Sequence, residues 1–339
     1  MPREPITLAR LKLAHLPTQL EAAPGLGAAI GCPGLLLKRE DLSGLGLGGN
    51  KPRQLEVLLA EAKAAGADTI VTTAGAQSNF CRATAAACAV LGWRCVLLLR
   101  GDGTAEPLGN LLLDRLFGAE IYWIDTTDPY ADAVQERLDA LEQAARDAGR
   151  RPWQIRLPGR TGALAAAAAV SLADELAAQC AEPPASSASP PAPASRRPAC
   201  SPASPPRASR RRCWRSPSSS PESFIRPLIL RRAEETAALL GLEARIDPSR
   251  LVVDDRFIAP GYGLSSPASL QALALAGRAG GLVLDPAYTA KALAGLIGRL
   301  GEGSIEAGAG VVFVHTGGAP GLFAQSAAIA RSLGNSAFS

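Results

Sequence analysis

The chain has 339 residues, enough for two domains or one large one. Apolar residues make up 47% and charged residues 19%, which excludes a disordered chain, while 34 glycines and abundant alanine suit close-packed α/β layers. The formal net charge of +4 gives no case for nucleic-acid binding, because residues 181–221 hold seven Arg and one Glu and the rest of the chain is net negative.

From the N-terminus, Met1-Pro2-Arg3-Glu4 lacks the basic-then-apolar pattern of a signal peptide. No uninterrupted apolar run of about 20 residues follows, so no membrane span is expected and a cytoplasmic protein is the default. Leu35–Arg39 reads as a strand, and Lys51–Ala65 as a helix with Leu55, Leu58, Leu59 and Ala62 on one face. Thr69–Thr73 is a strand, followed by a turn over Gly75–Asn79 and a small-residue helix from Phe80 to Leu91. Then come strand Cys95–Arg100, helix Pro107–Phe117, strand Glu120–Ile124 and helices over Ala131–Ala148 and Gly162–Cys180. The C-terminal half predicts helix Arg226–Leu240, strand Leu251–Val253, helix Pro267–Ala279, strand Gly281–Leu284, helix Thr289–Gly301 and strand Gly310–Val314, ending in the turn His315–Pro320. Strands and helices alternating in this way predict parallel sheets with helices on both faces.

The seven cysteines (32, 81, 88, 95, 180, 200, 213) form no C-x-x-C pair and only two histidines are present, so no metal site is expected. An odd total opposes a disulfide framework, and Cys81 and Cys88 read as small core residues of one helix.

Residues 181–221 differ from everything around them. These 41 residues contain 11 Pro, 11 Ser and 7 Arg, and no Gly, Leu, Ile, Val, Phe or Tyr. Such a segment cannot bury enough apolar surface to offset its ordering entropy and is expected to be disordered. It reads either as a Pro/Ser/Arg linker able to bind a partner, or as a coding sequence translated out of frame. In GC-rich codons shifted by one base, Arg196–Ser204 becomes T-Q-A-G-L-L-A-G-L. The same offset permits V-V-C-I-S-A-G-S-G-I over Ala185–Ser195 and P-V-L-A-V-A-V over Arg212–Ser218. The shifted text is a strand, a Gly/Ser/Thr turn, a helix and another strand.

Four loops carry candidate chemistry. Gly44-Leu45-Gly46-Leu47-Gly48-Gly49-Asn50-Lys51 puts a lysine in the first turn of a helix, where the dipole disfavours the cation and suits Schiff-base formation with an aldehyde. Taken alone, a surface lysine after a flexible loop fits as well. Gly75-Ala76-Gln77-Ser78-Asn79 joins a strand to a helix N-terminus, a place for a carboxylate or phosphate, or for an ordinary Ser cap. Asp285-Pro286-Ala287-Tyr288-Thr289-Ala290-Lys291 and His315-Thr316-Gly317-Gly318-Ala319-Pro320 follow strands, where α/β proteins bind ligands. No catalytic role is read for His315.

Together these loops, with Lys38-Arg39-Glu40-Asp41-Leu42 and Gly261-Tyr262-Gly263, resemble the D-cysteine desulfhydrase / 1-aminocyclopropane-1-carboxylate deaminase family. The resemblance covers about residues 8–180 and 218–325, and the joint spacing is highly specific. It implies an α/β chain of pyridoxal-phosphate fold type II (tryptophan synthase β-like) with two three-layer α/β/α domains. Residues 1–50 plus 161–339 would form the large domain, and 51–160 the small one. It implies pyridoxal 5′-phosphate as cofactor, a small amino acid as substrate and a homodimer, with no nucleic-acid, membrane or metal partner. Lys51 would hold the cofactor aldehyde and move the substrate α-proton. Ser78 and Asn79 would hold substrate carboxylate and cofactor with Gln77 nearby, Tyr262 and Tyr288 would flank the substrate, and Thr316 would approach the pyridine nitrogen.

Cyclopropane-opening members of that family carry Glu after the second tyrosine, where this chain has Thr289, so the D-cysteine desulfhydrase branch is expected ahead of the deaminases and the L-cysteate sulfo-lyases. Two departures stand out. Phe80 occupies a place commonly held by His, and the family's Gly-Ser-Gly-Gly-Thr-type phosphate loop is replaced by the Pro/Ser/Arg segment. As written, the chain is expected to lose that phosphate cradle and two central strands. A non-catalytic protein with a basic partner-binding segment is the reading from another class.

Overall fold

A computed structural model describes residues 8–156, 159–180, 186–189, 212–215, 221–243, 246–306, 308 and 310–334. The first elements are β1 (Leu20–Ala22), α1 (Pro24–Ala29), β2 (Leu35–Lys38), α2 (Lys51–Ala64), β3 (Thr69–Gly75) and α3 (Asn79–Leu91). Next come β4 (Arg94–Arg100), α4 (Gly109–Leu116), β5 (Glu120–Ile124), α5 (Asp132–Asp147) and β6 (Pro152–Ile155), then α6 (Arg160–Ala168) and α7 (Val170–Gln179). The remainder is β7 (Ser186–Ser189), β8 (Arg212–Arg215), α8 (Glu222–Leu239), β9 (Leu251–Val253), α9 (Pro267–Gly280), α10 (Thr289–Gly301), β10 (Val311–Val314), α11 (Ala319–Ala324) and α12 (Ser326–Gly334).

The strands form two sheets, ordered β5-β4-β3-β6 and β1-β2-β10-β7-β8-β9. Among the described residues, all strand pairings are parallel except β1 on β2. Interior strands covered on both faces need apolar residues throughout, and Val311-Val312-Phe313-Val314 and Val96-Leu97-Leu98-Leu99 are buried along their whole length. In the small-residue helix α3, Cys81, Ala83, Ala85, Ala87 and Cys88 are packed into the core of the four-stranded sheet with Leu55, Leu58 and Leu59 of α2. Strand β10 is the last in the sequence yet lies in the sheet interior, with Val311 opposite Leu35 on one side and Ser186 on the other.

Several expected elements differ. The helix expected over Gly162–Cys180 is two helices meeting at Ala169. Arg160–Gln179 is apolar and long enough to cross a membrane by length and composition, but half of it is buried, with α6 packed against α2 and α8. No strand forms over Gly281–Leu284. The Leu282 N–H closes the C-terminus of α9 on the Ala276 carbonyl at 3.2 Å, and Leu282 and Leu284 pack into the helical core instead. Strands β1 and β6 and helix α1 are too short to show a period and were not foreseen.

Of residues 181–221, expected to lie outside the fold, Ser186–Ser189 and Arg212–Arg215 pair side by side as β7 and β8, between β10 and β9. Neither four-residue run contains proline, so each keeps all its backbone N–H and C=O groups and can fill a ladder without Val, Ile or Leu. The proposed phosphate turn and its helix, between these strands, lie outside the described residues.

A buried charge network ties the N-terminal strands to α2 and α7. The Arg53 guanidinium donates to Glu40 Oε1 at 2.7 Å and Oε2 at 3.0 Å, and to Glu175 Oε1 at 2.6 Å, while Lys38 Nζ donates to Glu175 Oε2 at 2.7 Å. The two-pronged Arg53–Glu40 contact and the hydrogen bonds around it satisfy charges that would be costly to bury singly.

The loop from β2 to α2 turns through glycines in the left-handed region. At Gly48, φ is +64° and an added Cβ would lie 1.9 Å from the Asp41 carbonyl oxygen. Gly48→Ala is therefore expected to lower stability by about 2–4 kcal/mol, read as a drop in chemical-denaturation midpoint at unchanged slope.

Candidate active site

Five loops meet beside the C-terminal ends of β2, β3 and β10. Lys51 opens α2, and its side chain is buried, with Nζ donating to Asn50 Oδ1 at 2.5 Å. Among the described residues no carboxylate lies within ion-pair distance of this amine. The loop before it is held against the turn after β10. The Asn50 N–H donates to the Thr316 carbonyl at 3.1 Å, the Asp41 N–H donates to the His315 carbonyl at 2.9 Å, and a Cβ on Gly317 would lie 2.6 Å from Gly49 Cα. Only paired glycines allow backbones this close.

The turn after β10 in turn abuts the loop that opens α10. A Cβ on Gly318 would lie 2.7 Å from the Asp285 carboxyl carbon. Asp285 is buried and accepts from the backbone N–H groups of Ala287, Tyr288 and Thr289 at 2.8–3.0 Å and from Thr289 Oγ1 at 2.6 Å. Burial pushes its carboxyl up, and the Thr289 hydrogen bonds oppose that shift. Thr289 is fully buried and committed to this turn. His315 is buried and accepts the Gly317 N–H at Nδ1, 3.2 Å away; burial lowers its pKa, with Asp41 acting in the opposite sense. It behaves as a turn-stabilising residue.

Tyr288 leads to Tyr262. Their hydroxyl oxygens are 2.6 Å apart, with the rings edge to face at 5.9 Å. Tyr262 reaches the C-terminal end of β3, where a Cβ on Gly75 would lie 3.9 Å from its ring. The loop that bears Tyr262 is anchored by buried Lys291, whose Nζ donates to the carbonyls of Ile258 at 2.8 Å and Gly261 at 2.7 Å.

In the loop after β3, Ser78 caps α3, its Oγ accepting from the N–H groups of Phe80 at 3.1 Å and Cys81 at 3.2 Å. With both lone pairs so engaged, the hydroxyl can act toward a ligand only as a donor. Gln77 is clamped to the start of α4: Nε2 donates to the Leu108 carbonyl and Oε1 accepts the Asn110 N–H, each at 2.9 Å. Asn79 Oδ1 accepts from Asn110 Nδ2 at 3.0 Å.

The seven residues expected from the sequence thus fall on loops in mutual contact: Lys51, Gln77, Ser78, Asn79, Tyr262, Tyr288 and Thr316. Thr316 meets the lysine loop through its backbone carbonyl. Asp285 and Lys291 lie in a loop motif expected from the sequence and act there as supports; Asn110 and Arg82, which hold the other loops, are not expected there. Only the Gly109-Asn110 start of an apolar helix could have hinted at one of them.

The donor set suits an anionic group that bears an aldehyde. A buried amine with only a neutral partner can condense with the aldehyde, and the N-terminus of α3 with Ser78 and Asn79 supplies donors for anionic oxygens. A phosphate would need a further nest of N–H groups. The sequence has no glycine between Gly162 and Gly241, and residues 190–211 lie outside those described.

A family model described as pyridoxal-phosphate dependent enzyme matches residues 11–190. D-cysteine desulfhydrases of Salmonella choleraesuis (strain SC-B67) and Salmonella paratyphi C (strain RKS4594) are each 36% identical to the chain over 323 residues, which is 93% of this chain and 95% of theirs. Among solved structures, an ACC deaminase homologue superposes with a TM-score of 0.82 at 26% identity, covering 96% of both chains. A fungal L-serine ammonia-lyase from Rhizomucor miehei shares the fold, with a TM-score of 0.61 at 16% identity over 96% of this chain and 99% of that one.

Proposed function

The chain belongs to the pyridoxal-phosphate dependent enzymes, and from that premise we propose that it is a lyase that converts D-cysteine and water to pyruvate, ammonia and hydrogen sulfide. The observation that carries this reading is the Tyr262–Tyr288 hydroxyl pair, 2.6 Å apart, standing between the α3 N-terminal loop and the loop of Asp285. Lys51 would hold the cofactor, which would supply an aldehyde for the amino group and a ring able to stabilise negative charge at Cα.

The remaining work falls to side chains. Asn79, the Ser78 hydroxyl and the α3 N-terminus bind and orient the carboxylate, and Gln77 acts by holding that loop on α4. Lys51 Nζ takes the α-proton. As the Cβ–S bond breaks, Tyr288 gives its proton to the departing sulfur and draws on Tyr262 through their shared hydrogen bond. Thr316 would approach the pyridine nitrogen of the bound cofactor. Thr289, spent on Asp285, puts no carboxylate there, and this favours elimination of a good leaving group over cyclopropane opening.

Tyr288→Phe is expected to lower sulfide release from D-cysteine by about 10²- to 10³-fold while leaving solvent-deuterium exchange of the α-proton in place. Unchanged sulfide release would remove Tyr288 from the mechanism. Faster ammonia release from 1-aminocyclopropane-1-carboxylate than from D-cysteine would favour the deaminase reading, and faster sulfite release from L-cysteate the sulfo-lyase reading.

The same proposal places the enzyme in the cytoplasm as a homodimer with no nucleic-acid or membrane partner. Leu108, at the N-cap of α4, and Leu112 and Leu116 within it, exposed at four-residue spacing, support self-association. It also divides the chain into a small domain, 51–160, and a large one, 1–50 plus 161–339. The four-stranded sheet, drawn wholly from residues between Thr69 and Ile155, supports that division.

A further inference from the structure

We propose that Arg82 and Asn110 are positioning residues that fix which end of the Asn79 carboxamide faces the ligand, so that Asn79 offers its NH2 group to an anionic oxygen. The inference deepens the reading of this site and rests on it for the identity of the ligand. It does not rest on it for the orientation itself.

Hydrogen-bond chemistry alone fixes the orientation. A guanidinium has donors and no acceptor. Arg82, fully buried, directs Nε at the Asn110 side chain 3.0 Å away and Nη2 at the Gly48 carbonyl 2.9 Å away. The Asn110 atom that meets Arg82 must therefore be Oδ1. The other end of Asn110, also fully buried, must then be its NH2, and its two hydrogens find two acceptors, the Gln77 carbonyl at 2.9 Å and Asn79 Oδ1 at 3.0 Å. That leaves the Asn79 NH2 turned away from Asn110, on a half-buried side chain at the first turn of α3. One donor-only group thus sets the polarity of two amides in series. The same guanidinium grips the carbonyl of Gly48, three residues before Lys51, so it registers the lysine loop against the loop of Gln77, Ser78 and Asn79.

The two halves of the relay make opposite demands on substitution, and this separates it from a packing role. In Asn110→Asp the carboxylate still accepts from Arg82, but it faces Asn79 with an acceptor. The Asn79 amide then turns over and presents oxygen to the ligand. In Asn110→Ala a cavity forms, but Asn79 is free to adopt either orientation. The relay predicts that Asp costs more ligand affinity than Ala although it fills the space better.

The experiment compares the full-length chain with both variants in three readouts: melting temperature, pyridoxal 5′-phosphate affinity by absorbance titration, and KM and kcat for D-cysteine. Asn110→Ala should melt lower than Asn110→Asp. Cofactor affinity and KM should show the reverse order, with Asp raising KM about tenfold or more over Ala and kcat changing less. Affinity that follows the melting order overturns the relay.

A wild-type chain that neither binds pyridoxal 5′-phosphate nor turns over D-cysteine overturns the functional reading. The relay is then decided by side-chain amide exchange in protein labelled with ¹⁵N-asparagine. Strong protection of the Asn110 NH2 with fast exchange at Asn79 supports it, and the opposite pattern overturns it.

Discussion

Lys51→Ala is expected to abolish the visible absorbance of lysine-bound cofactor and to lower sulfide release by at least about 10³-fold, while the melting temperature of the cofactor-free chain changes little. The chain has five lysines, and the structure separates them by what their amines already do. Lys12 and Lys63 are exposed. Lys38 Nζ is saturated by the Thr18 carbonyl, Glu175 Oε2 and Gln179 Oε1, each at 2.7 Å, and Lys291 Nζ is held by two carbonyls. Among the described residues, Lys51 alone pairs burial with a single neutral partner, the amide oxygen of Asn50. Borohydride reduction followed by peptide mass mapping checks the assignment directly. A cofactor adduct on Lys38 or Lys291, or turnover retained in Lys51→Ala, would overturn it.

The second large effect is expected from the Pro/Ser/Arg segment. Strand β7 reads Ser-Ser-Ala-Ser in the sheet interior, beside Val-Val-Phe-Val of β10. Strands in that position are covered on both faces and are usually continuous runs of Val, Ile and Leu. A variant carrying the one-base-shifted reading over residues 185–218 would supply such runs to β7 and β8, and a Gly-Ser-Gly turn between them. Burying even three more aliphatic side chains would add about 5 kcal/mol or more, which corresponds to a rise of about 10–20 °C in melting temperature. Cofactor affinity should rise with it, because the turn restores backbone donors for the phosphate. Unchanged melting and unchanged affinity would show that the segment as written serves the protein, and the linker reading would replace the shifted one.

These two tests also mark how far the sequence could be read. Where a segment's own pattern decides its structure, the expectation and the structure coincide: β5 spans Glu120–Ile124, α10 spans Thr289–Gly301, and α2 begins at Lys51. Motif loops were legible because their glycines, capping serine and paired tyrosines are local signals. The supports of the site were not. Asn110 and Arg82 lie 28 positions apart, and Arg53 and Glu175 lie 122 apart, so their meeting depends on the folded path of the chain. The break at Ala169 fell in a run of alanines with no cap or proline to signal it. The run Gly281–Leu284 looked like a strand because its apolar residues would suit one, yet Leu282 is drawn into closing α9.

The place of β10 has a consequence for synthesis. The four-stranded sheet is complete once Ile155 has emerged from the ribosome, with its strands close in sequence. The six-stranded sheet is not, because β10 separates β2 from β7 and arrives last. Until about residue 314 is made, β2 waits with an open edge, and Lys51 lacks the Thr316 turn that braces its loop. A nascent chain therefore carries its reactive lysine for more than 250 residues of elongation before the pocket around it can close. Any stop or shift of frame between β6 and β10 leaves that lysine beside a finished small sheet and an unfinished large one.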